Sequence, residues 1–249
     1  MPTQLIILAA GQGTRLRPLT DDRPKCMVEL RGKPLIEHQL DAANVVGITD
    51  VHAVLGYRHD QVQFPNLTKH INEAYATTNM VSSLFAAESA FTENMIVSYG
   101  DIVFQPSVLA RLNESEYPVA VVVDDGWRRY WEARMENPLA DAETMKLRSD
   151  GTILELGKNP SSIDDIQGQY IGLIKFSGGA VRQICDFYHS LDRTVEYDGK
   201  DFDNMYMTTF LQLIADRLMP IQAIKIENGW MEVDCPDDLN HTQYLDHGS

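Results

Sequence analysis

The chain has 249 residues, of which 44% are hydrophobic, and it carries a formal net charge of −15. This length and composition predict a globular protein with a sizeable core, and we expect one domain over residues 1–249. A chain this acidic is unsuited to binding nucleic acid or an anionic membrane, and no apolar run in it reaches the length of a membrane span. The three cysteines have no metal-ligand spacing and the N-terminus does not read as a secretion signal, so we expect a cytoplasmic protein.

The N-terminal stretch combines a buried strand with a glycine loop. Residues 5–8 form a short apolar run, which is typical of a strand covered on both faces of a parallel sheet. Residues 9–14 follow with two glycines, and glycine lets backbone N–H groups approach an anion closely. Arg15 and Lys25 add positive charge beside this loop. The stretch therefore predicts a polyphosphate-binding loop.

Two common phosphate-binding motifs do not fit this loop. The dinucleotide fingerprint requires a third glycine at position 16, where the chain has Leu16. A P-loop requires Gly-Lys-Ser or Gly-Lys-Thr after the strand, and this loop lacks it. Two closely spaced glycines after a strand also occur where nothing binds, so the loop alone leaves phosphate binding open.

Strand and helix patterns alternate along the rest of the chain. Residues 35–46 predict a helix ended by Gly47, and residues 51–55 predict the next strand, with Gly56 opening its C-terminal loop. Further strands are predicted at residues 69–72, 95–99, 119–123, 153–156, 169–176 and 221–226, and further helices from about residue 79, at 180–191 and at 204–218. This alternation predicts a doubly wound α/β fold whose mostly parallel central sheet binds ligands at the carboxyl ends of its strands.

Polar residues occur at two places where the ligand crevice is expected. Thr78 or Asn79 is a predicted helix N-cap, and capping or solvation is the alternative to ligand binding for Asn79 and Ser83. Asp101 follows the strand at residues 95–99, at the edge where parallel sheets bind their ligands. The alternative for Asp101 is an ordinary turn aspartate.

The N-terminal string as a whole is more specific than its glycines. Residues 8–20 read Leu-Ala-Ala-Gly-x-Gly-Thr-Arg-Leu-x-Pro-Leu-Thr, and Pro24-Lys25 follows. This string resembles the signature of nucleotidyltransferases that join a nucleoside triphosphate to a sugar phosphate, phosphocholine or a similar acceptor. The resemblance implies a Rossmann-like, three-layer fold with a nucleotide-binding part at about residues 1–120 and an acceptor-binding part at about residues 121–249.

The same resemblance implies roles for individual residues. Lys25 resembles the lysine that contacts the phosphates at the reacting centre, and Arg15 resembles the residue that grips the β- and γ-phosphates, so these two are the predicted catalytic residues. Asp101 and Asp234 resemble the pair that holds Mg²⁺, and Glu232 lies on the same face of an extended segment as Asp234 and ranks next as a metal ligand. The predicted nucleotide contacts are Leu8, Ala9, Ala10, Gly11, Gln12, Gly13, Thr14, Gly56, Asn79, Ser83, Tyr99 and Gly100.

The acceptor side resembles one branch of these enzymes. The segment Asn79-x-x-x-Ser83-Leu84 and the stretches at residues 124–147, 169–172 and 204–208 resemble cytidylyltransferases that act on phosphonates, phosphoglutamine or phosphocholine. The predicted acceptor contacts are Asp124, Trp127, Tyr130, Arg134, Lys158 and Tyr170. Aromatic rings with carboxylates suit an amine, and arginine or lysine suits a phosphate, but a buried core position is the alternative for each aromatic residue.

The predicted reaction is Mg²⁺-dependent transfer of CMP from CTP to a small phosphonate or phosphate acceptor, with release of pyrophosphate. Such an acceptor is already ionised near neutral pH, so we expect no general base and a site built from N–H groups and cations. A sugar-1-phosphate nucleotidyltransferase that uses UTP or dTTP is the nearest alternative, and a non-catalytic nucleotide-binding regulator is the alternative of another class. The sequence does not select the acceptor, and it is compatible with a homodimer.

Overall fold

The structure, a computed structural model, describes residues 2–246 of the chain. The strands are β1 (Gln4–Ala9), β2 (Glu29–Leu30), β3 (Lys33–Pro34), β4 (Asp50–Leu55), β5 (Leu67–Ile71), β6 (Asn94–Tyr99), β7 (Ile102–Phe104), β8 (Val119–Asp124), β9 (Met145–Leu147), β10 (Ile153–Leu156), β11 (Gln169–Ser177), β12 (Gln222–Ile226) and β13 (Trp230–Glu232). The α-helices are α1 (Leu35–Val46), α2 (Met80–Phe85), α3 (Pro106–Asn113), α4 (Trp127–Arg134), α5 (Gly179–Ser190), α6 (Met207–Arg217) and α7 (Gln243–Asp246).

The central sheet of the described chain has seven strands in the order β12-β8-β11-β6-β1-β4-β5. Strand β1 pairs in parallel with β4 and β6, β4 pairs in parallel with β5, and β8 pairs in parallel with β12. Strand β11 runs antiparallel to both of its neighbours, β6 and β8. The predicted α/β fold with a mostly parallel sheet is therefore confirmed.

Strand β1 shows why the fold has three layers. Leu5 and Ile7 pack into one hydrophobic core, together with residues of α1, α3 and α4. Ile6 and Leu8 pack into the other core, together with residues of α2, α5 and α6. Because successive strand side chains point to opposite faces, one continuous apolar run fills both cores. Because both faces of the sheet are covered, its ligand site is expected at the ends of the strands.

A short antiparallel ribbon of β7 and β13 joins the C-terminal part of the chain to the end of β6. Glu232 of β13 lies opposite Ile102 of β7. The Val233 N–H donates to the carbonyl of Asp101 at 2.9 Å. The ribbon thus brings the segment that contains Asp234 beside Asp101, although the two residues are far apart in the sequence.

Four helices differ from the sequence-based expectation. Helix α6 begins at Met207 rather than at Asn204, because the Asp201 carboxylate accepts the Asn204 N–H at 2.9 Å and holds that residue in a 3-10 turn. Helices α3, α4 and α7 lie where the sequence pattern predicts no helix. Helix α1 and strand β10 have the predicted bounds. Within residues 2–246, no helix is both long enough and apolar enough to cross a membrane.

Candidate active site

A cavity of about 520 Å³ opens at the carboxyl ends of β1 and β6. Its lining includes eleven of the twelve predicted nucleotide contacts, and it also includes every predicted catalytic and metal residue. The lining residues are Leu8, Ala9, Ala10, Gly11, Gln12, Gly13, Thr14, Arg15, Lys25, Cys26, Tyr75, Thr78, Asn79, Met80, Ser83, Tyr99, Gly100, Asp101, Glu232 and Asp234. The structure therefore gathers residues from both ends of the chain around one cleft.

Lys25 lies between the two aspartates at the centre of this cavity. Its Nζ lies 2.6 Å from Asp101 Oδ2 and also forms an ion pair with Asp234 Oδ1. The side chain is only 15% exposed. Burial is the largest single influence and works against the ammonium charge, but the two carboxylates together outweigh it and raise the pKa of Lys25 well above its usual range. Lys25 is therefore a fixed cation rather than a proton donor or acceptor.

Arg15 supplies a second cation to the same cluster. Its Nη2 lies 3.0 Å from Asp234 Oδ2, so Asp234 contacts both predicted catalytic cations. Arg15 differs from Lys25 in exposure, because 68% of its side chain is open to solvent. A long, exposed arginine can turn toward an entering triphosphate at little cost.

Two glycines of the loop serve different purposes. Gly13 has a φ of +73°, and a Cβ there would lie 2.9 Å from both Cβ and Cγ of Lys25. Gly13 is therefore needed for the Lys25 stem to pass the loop. Apart from its two chain neighbours, no described residue lies within 4 Å of where a Cβ on Gly11 would be, so the space over Gly11 is open to a ligand.

We expect Gly13→Ala to lower both stability and kcat, because the new methyl group displaces Lys25. Gly32→Ala is the matched control, since Gly32 has a φ of +76° and open space around it among the described residues. Both changes should cost about 1 kcal/mol of stability from the left-handed backbone, while only Gly13→Ala should lower kcat, by about a hundredfold. Thermal melts and steady-state kinetics measure the two effects. Equal kcat values for the two variants would contradict the steric role of Gly13.

The start of α2 forms one wall of the cavity. The Asn79 Oδ1 accepts the Met80 N–H at 2.8 Å, so Asn79 is the N-cap, and Ser83 lies one turn later. The buried Asn72 donates from Nδ2 to Ser83 Oγ and to Thr78 Oγ1, both at 3.0 Å. Asn79 and Ser83 thus have structural hydrogen bonds at the start of α2, and both also line the cavity.

The three predicted metal ligands do not form one cluster. Asp101 and Asp234 share Lys25, whereas the Glu232 carboxylate pairs with Arg134 Nη1. Burial raises the pKa of Glu232 to about 7, and Arg134 opposes that rise. In the part of the chain that the structure describes, no three His, Cys, Asp or Glu side chains are arranged to hold a metal. A metal here would have two carboxylates from the protein.

Four of the predicted acceptor contacts lie inside the protein rather than in the cavity lining. Asp124 is fully buried, and its carboxylate accepts from the N–H groups of Gly126 and Asn228 and from Trp230 Nε1 at 2.8–2.9 Å. Trp127 and Tyr130 are core residues, being 4% and 0% exposed. Arg134 is buried in ion pairs with Glu232 and Asp238. These side chains are buried inside the protein and none of them lines the cavity, so the expectation that they contact the acceptor directly is corrected.

Three other predicted contacts lie outside the lining of this cavity. The ring of Tyr170 packs edge-to-face against that of Tyr99, with ring centroids 5.8 Å apart. Tyr99 lines the cavity and Tyr170 lies behind it. Gly56 lines a neighbouring cavity of about 380 Å³, and a Cβ there would come within 2.5 Å of Tyr75. Lys158 is exposed on the surface after β10. An acceptor role for Lys158 stays a prediction.

Four lining residues were not anticipated from the sequence, namely Cys26, Tyr75, Thr78 and Met80. Cys26 and Met80 directly follow predicted site or capping residues, Lys25 and Asn79, so extending each motif by one residue finds them. Tyr75 lies in a turn after β5 and reaches the cavity by packing over Gly56. No sequence pattern reveals such a contact.

The sequence matches a nucleotidyltransferase family model and is similar to known cytidylyltransferases. The family model for the MobA-like NTP transferase domain matches residues 5–160. A CTP:phosphoglutamine cytidylyltransferase of Campylobacter jejuni is 41% identical over 246 residues, which cover 94% of this chain and 96% of that relative. A 2-aminoethylphosphonate cytidylyltransferase of Lancefieldella rimae is 24% identical, over 90% of this chain and 87% of that relative.

A solved structure of similar fold is the CTP:phosphocholine cytidylyltransferase from Streptococcus pneumoniae. It has a TM-score of 0.73 and 20% identity, and the match covers 99% of this chain and 100% of that structure. At this identity the likeness concerns the fold. The family model spans more than half of the chain and the Campylobacter relative spans almost all of it. The chain therefore belongs to the MobA-like NTP transferase family and is a nucleotidyltransferase.

Proposed function

We propose that the protein transfers CMP from CTP to a small phosphate or phosphonate acceptor, with phosphoglutamine as the first acceptor to test. The observation that carries this proposal is the 41% identity, over 94% of the chain, to an enzyme named as a CTP:phosphoglutamine cytidylyltransferase. Further support comes from a choline-phosphate cytidylyltransferase of Streptococcus pneumoniae, which is 33% identical over 45% of this chain and 51% of that relative.

The residues of the cavity suit attack on the α-phosphorus of a nucleoside triphosphate. An ionised acceptor oxygen forms a bond to that phosphorus, while the bond from the phosphorus to the bridging oxygen breaks and its electron pair leaves with pyrophosphate. The loop at residues 9–15 binds the triphosphate, and Lys25 stabilises the negative charge that spreads over the reacting phosphates. Lys25 is charged beside the two aspartates, and phosphate oxygens favour the same ammonium form, so no proton has to move.

Asp101 and Asp234 fit a magnesium site. Their carboxylates both contact the same nitrogen of Lys25, so their oxygens are close enough to share one ion. Mg²⁺ is usually held by one or two carboxylates together with substrate phosphates and water. When bound, Mg²⁺ would supply neutralisation of the phosphate charge. Asp101 and Asp234 would exchange Lys25 for that ion, which frees Lys25 to contact the phosphates.

Tyr99 and Glu232 replace the buried aromatic residues as our proposed acceptor contacts. Both line the cavity, and each precedes one of the two aspartates by two residues in the sequence. Gly172, with a φ of +85°, leaves room for the Tyr99 ring, because a Cβ there would lie 2.6 Å from it. An aromatic ring beside a carboxylate suits an acceptor that carries an ammonium group.

A pyrophosphate-release screen tests the proposed function. Purified protein is incubated with Mg²⁺ and CTP, UTP, ATP, GTP or dTTP, each with phosphoglutamine, phosphocholine, 2-aminoethylphosphonate or glucose 1-phosphate. We expect release with CTP and an amine-bearing acceptor, and at least tenfold slower release with glucose 1-phosphate. Release with UTP or dTTP and glucose 1-phosphate alone would identify a sugar-1-phosphate enzyme instead. No release in any combination would contradict the proposal.

A further inference from the structure

Helix α4 and the C-terminal end of β8 hold the segment that contains Asp234 through buried hydrogen bonds. The Tyr130 hydroxyl accepts the Glu232 N–H at 3.0 Å and lies 3.1 Å from the Glu232 carbonyl, to which it donates. Asp124 accepts the Asn228 N–H and the Trp230 indole N–H, both at 2.9 Å. Buried polar groups from one helix and one strand end therefore fix this segment at residues 228, 230 and 232.

Arg134, at the end of α4, is the charged member of this set. Its side chain is 3% exposed, and its guanidinium lies 4.9 Å from the ring centre of Tyr130 and 5.4 Å from that of Trp131. Nε donates to Asp238 Oδ1 at 2.8 Å and Nη2 lies 3.3 Å from Asp238 Oδ2, while Nη1 pairs with Glu232. The fork of the guanidinium thus spans both sides of Asp234 in the sequence.

Asp238 transmits this anchoring to the backbone at Asp234. Its Oδ2 accepts the N–H of Asp234 at 2.7 Å and that of Cys235 at 2.8 Å. Asp238 itself is 2% exposed, so Arg134 is its compensating charge. One chain of contacts therefore runs from Arg134 through Asp238 to the main chain of a residue that lines the cavity.

We propose that Arg134 is a positioning residue, which acts through Asp238 to hold the Asp234 carboxylate in place for phosphates and metal. The proposal rests on the proposed function in so far as Asp234 serves the transfer reaction. Arg134 touches neither substrate in this role. Outer residues that orient a metal ligand typically change metal affinity or activity by about 10- to 100-fold when they are replaced.

The test compares Arg134→Met with Arg128→Met. Arg128 lies on the same helix and forms an exposed ion pair with Glu132 at 2.7 Å, away from the Asp234 segment, so its loss is the matched control. We expect Arg134→Met to lower kcat and weaken Mn²⁺ binding, each by about 10- to 100-fold, and to change the KM for CTP by less than threefold. Mn²⁺ binding is measured by electron paramagnetic resonance with CTP present and no acceptor. Arg128→Met should match wild type in all three quantities.

Arg134→Lys keeps the proposal testable if Arg134→Met does not fold, because it preserves the charge but loses the fork to Asp238. Arg134→Lys should lower kcat and weaken Mn²⁺ binding as Arg134→Met does, but by smaller factors. Mn²⁺ binding and kcat within threefold of wild type in the folded Arg134 variants would overturn the positioning role. If wild type turns over none of the acceptors, the proposed function fails, and the Mn²⁺ comparison still decides the role of Arg134.

Discussion

Replacing Lys25 by methionine should lower kcat by about a thousandfold and leave the chain folded. Lys25 is the buried cation of the cavity, and methionine keeps the length of the stem that passes Gly13 while removing the charge. Pyrophosphate release measures the effect, and Lys33→Met is the control because Lys33 forms a partly exposed ion pair with Asp41 on α1. A Lys25→Met variant within tenfold of wild-type turnover would contradict the role that we give to Lys25.

The same variant has a second expected effect that a general loss of structure would not produce. In the nucleotide-free protein, Lys25 contacts both carboxylates, so it would compete with the proposed metal ion for them. Without that competitor, Lys25→Met should bind Mn²⁺ more tightly than wild type does when no nucleotide is present. Weaker Mn²⁺ binding by the variant would show that the aspartates do not form the metal site.

Asp101→Asn and Asp234→Asn should each lower kcat by about a hundredfold to a thousandfold, because each removes a charge from the site at which we propose that phosphates and metal meet. Both aspartates contact the same Lys25 and are proposed to hold the same ion, so the double variant should be little slower than either single one. Asp237→Asn is the control, since Asp237 is 71% exposed and lies three residues beyond Asp234. If the kcat losses of the two single variants multiply in the double variant, the two aspartates have independent roles.

Regular elements with one clear pattern could be predicted from the sequence. Helix α1 ends at Gly47, whose φ of +82° and N–H bonds to carbonyls of the last turn explain the stop. The direction of β11 could not be predicted, because a strand that is buried on both faces is a continuous apolar run whether it lies parallel or antiparallel to its neighbours. Helix α4 was missed although Trp127, Tyr130, Trp131 and Arg134 follow helical spacing, since their aromatic and charged side chains suggested ligand contacts instead.

The lining of the cavity around the glycine loop could be predicted from the sequence, whereas the surroundings of the expected acceptor contacts could not. Lys25 lies close in the sequence to the loop that it serves, so one motif contains both. Arg134 finds its partners, Glu232 and Asp238, about a hundred residues later, and only the folded chain shows that its charge is already compensated. A buried arginine and a ligand-binding arginine look identical in a sequence until their partners are known.

Phosphorus NMR of the wild-type protein with Mg²⁺, CTP and phosphoglutamine tests cytidylyl transfer most directly. We predict that the three CTP resonances decline together while free pyrophosphate and a new pair of coupled diphosphate resonances grow, the latter belonging to CMP joined to the acceptor phosphate. Omission of the acceptor should leave CTP intact. Unchanged CTP with phosphoglutamine, phosphocholine and 2-aminoethylphosphonate alike, in a folded protein, would contradict the proposed reaction.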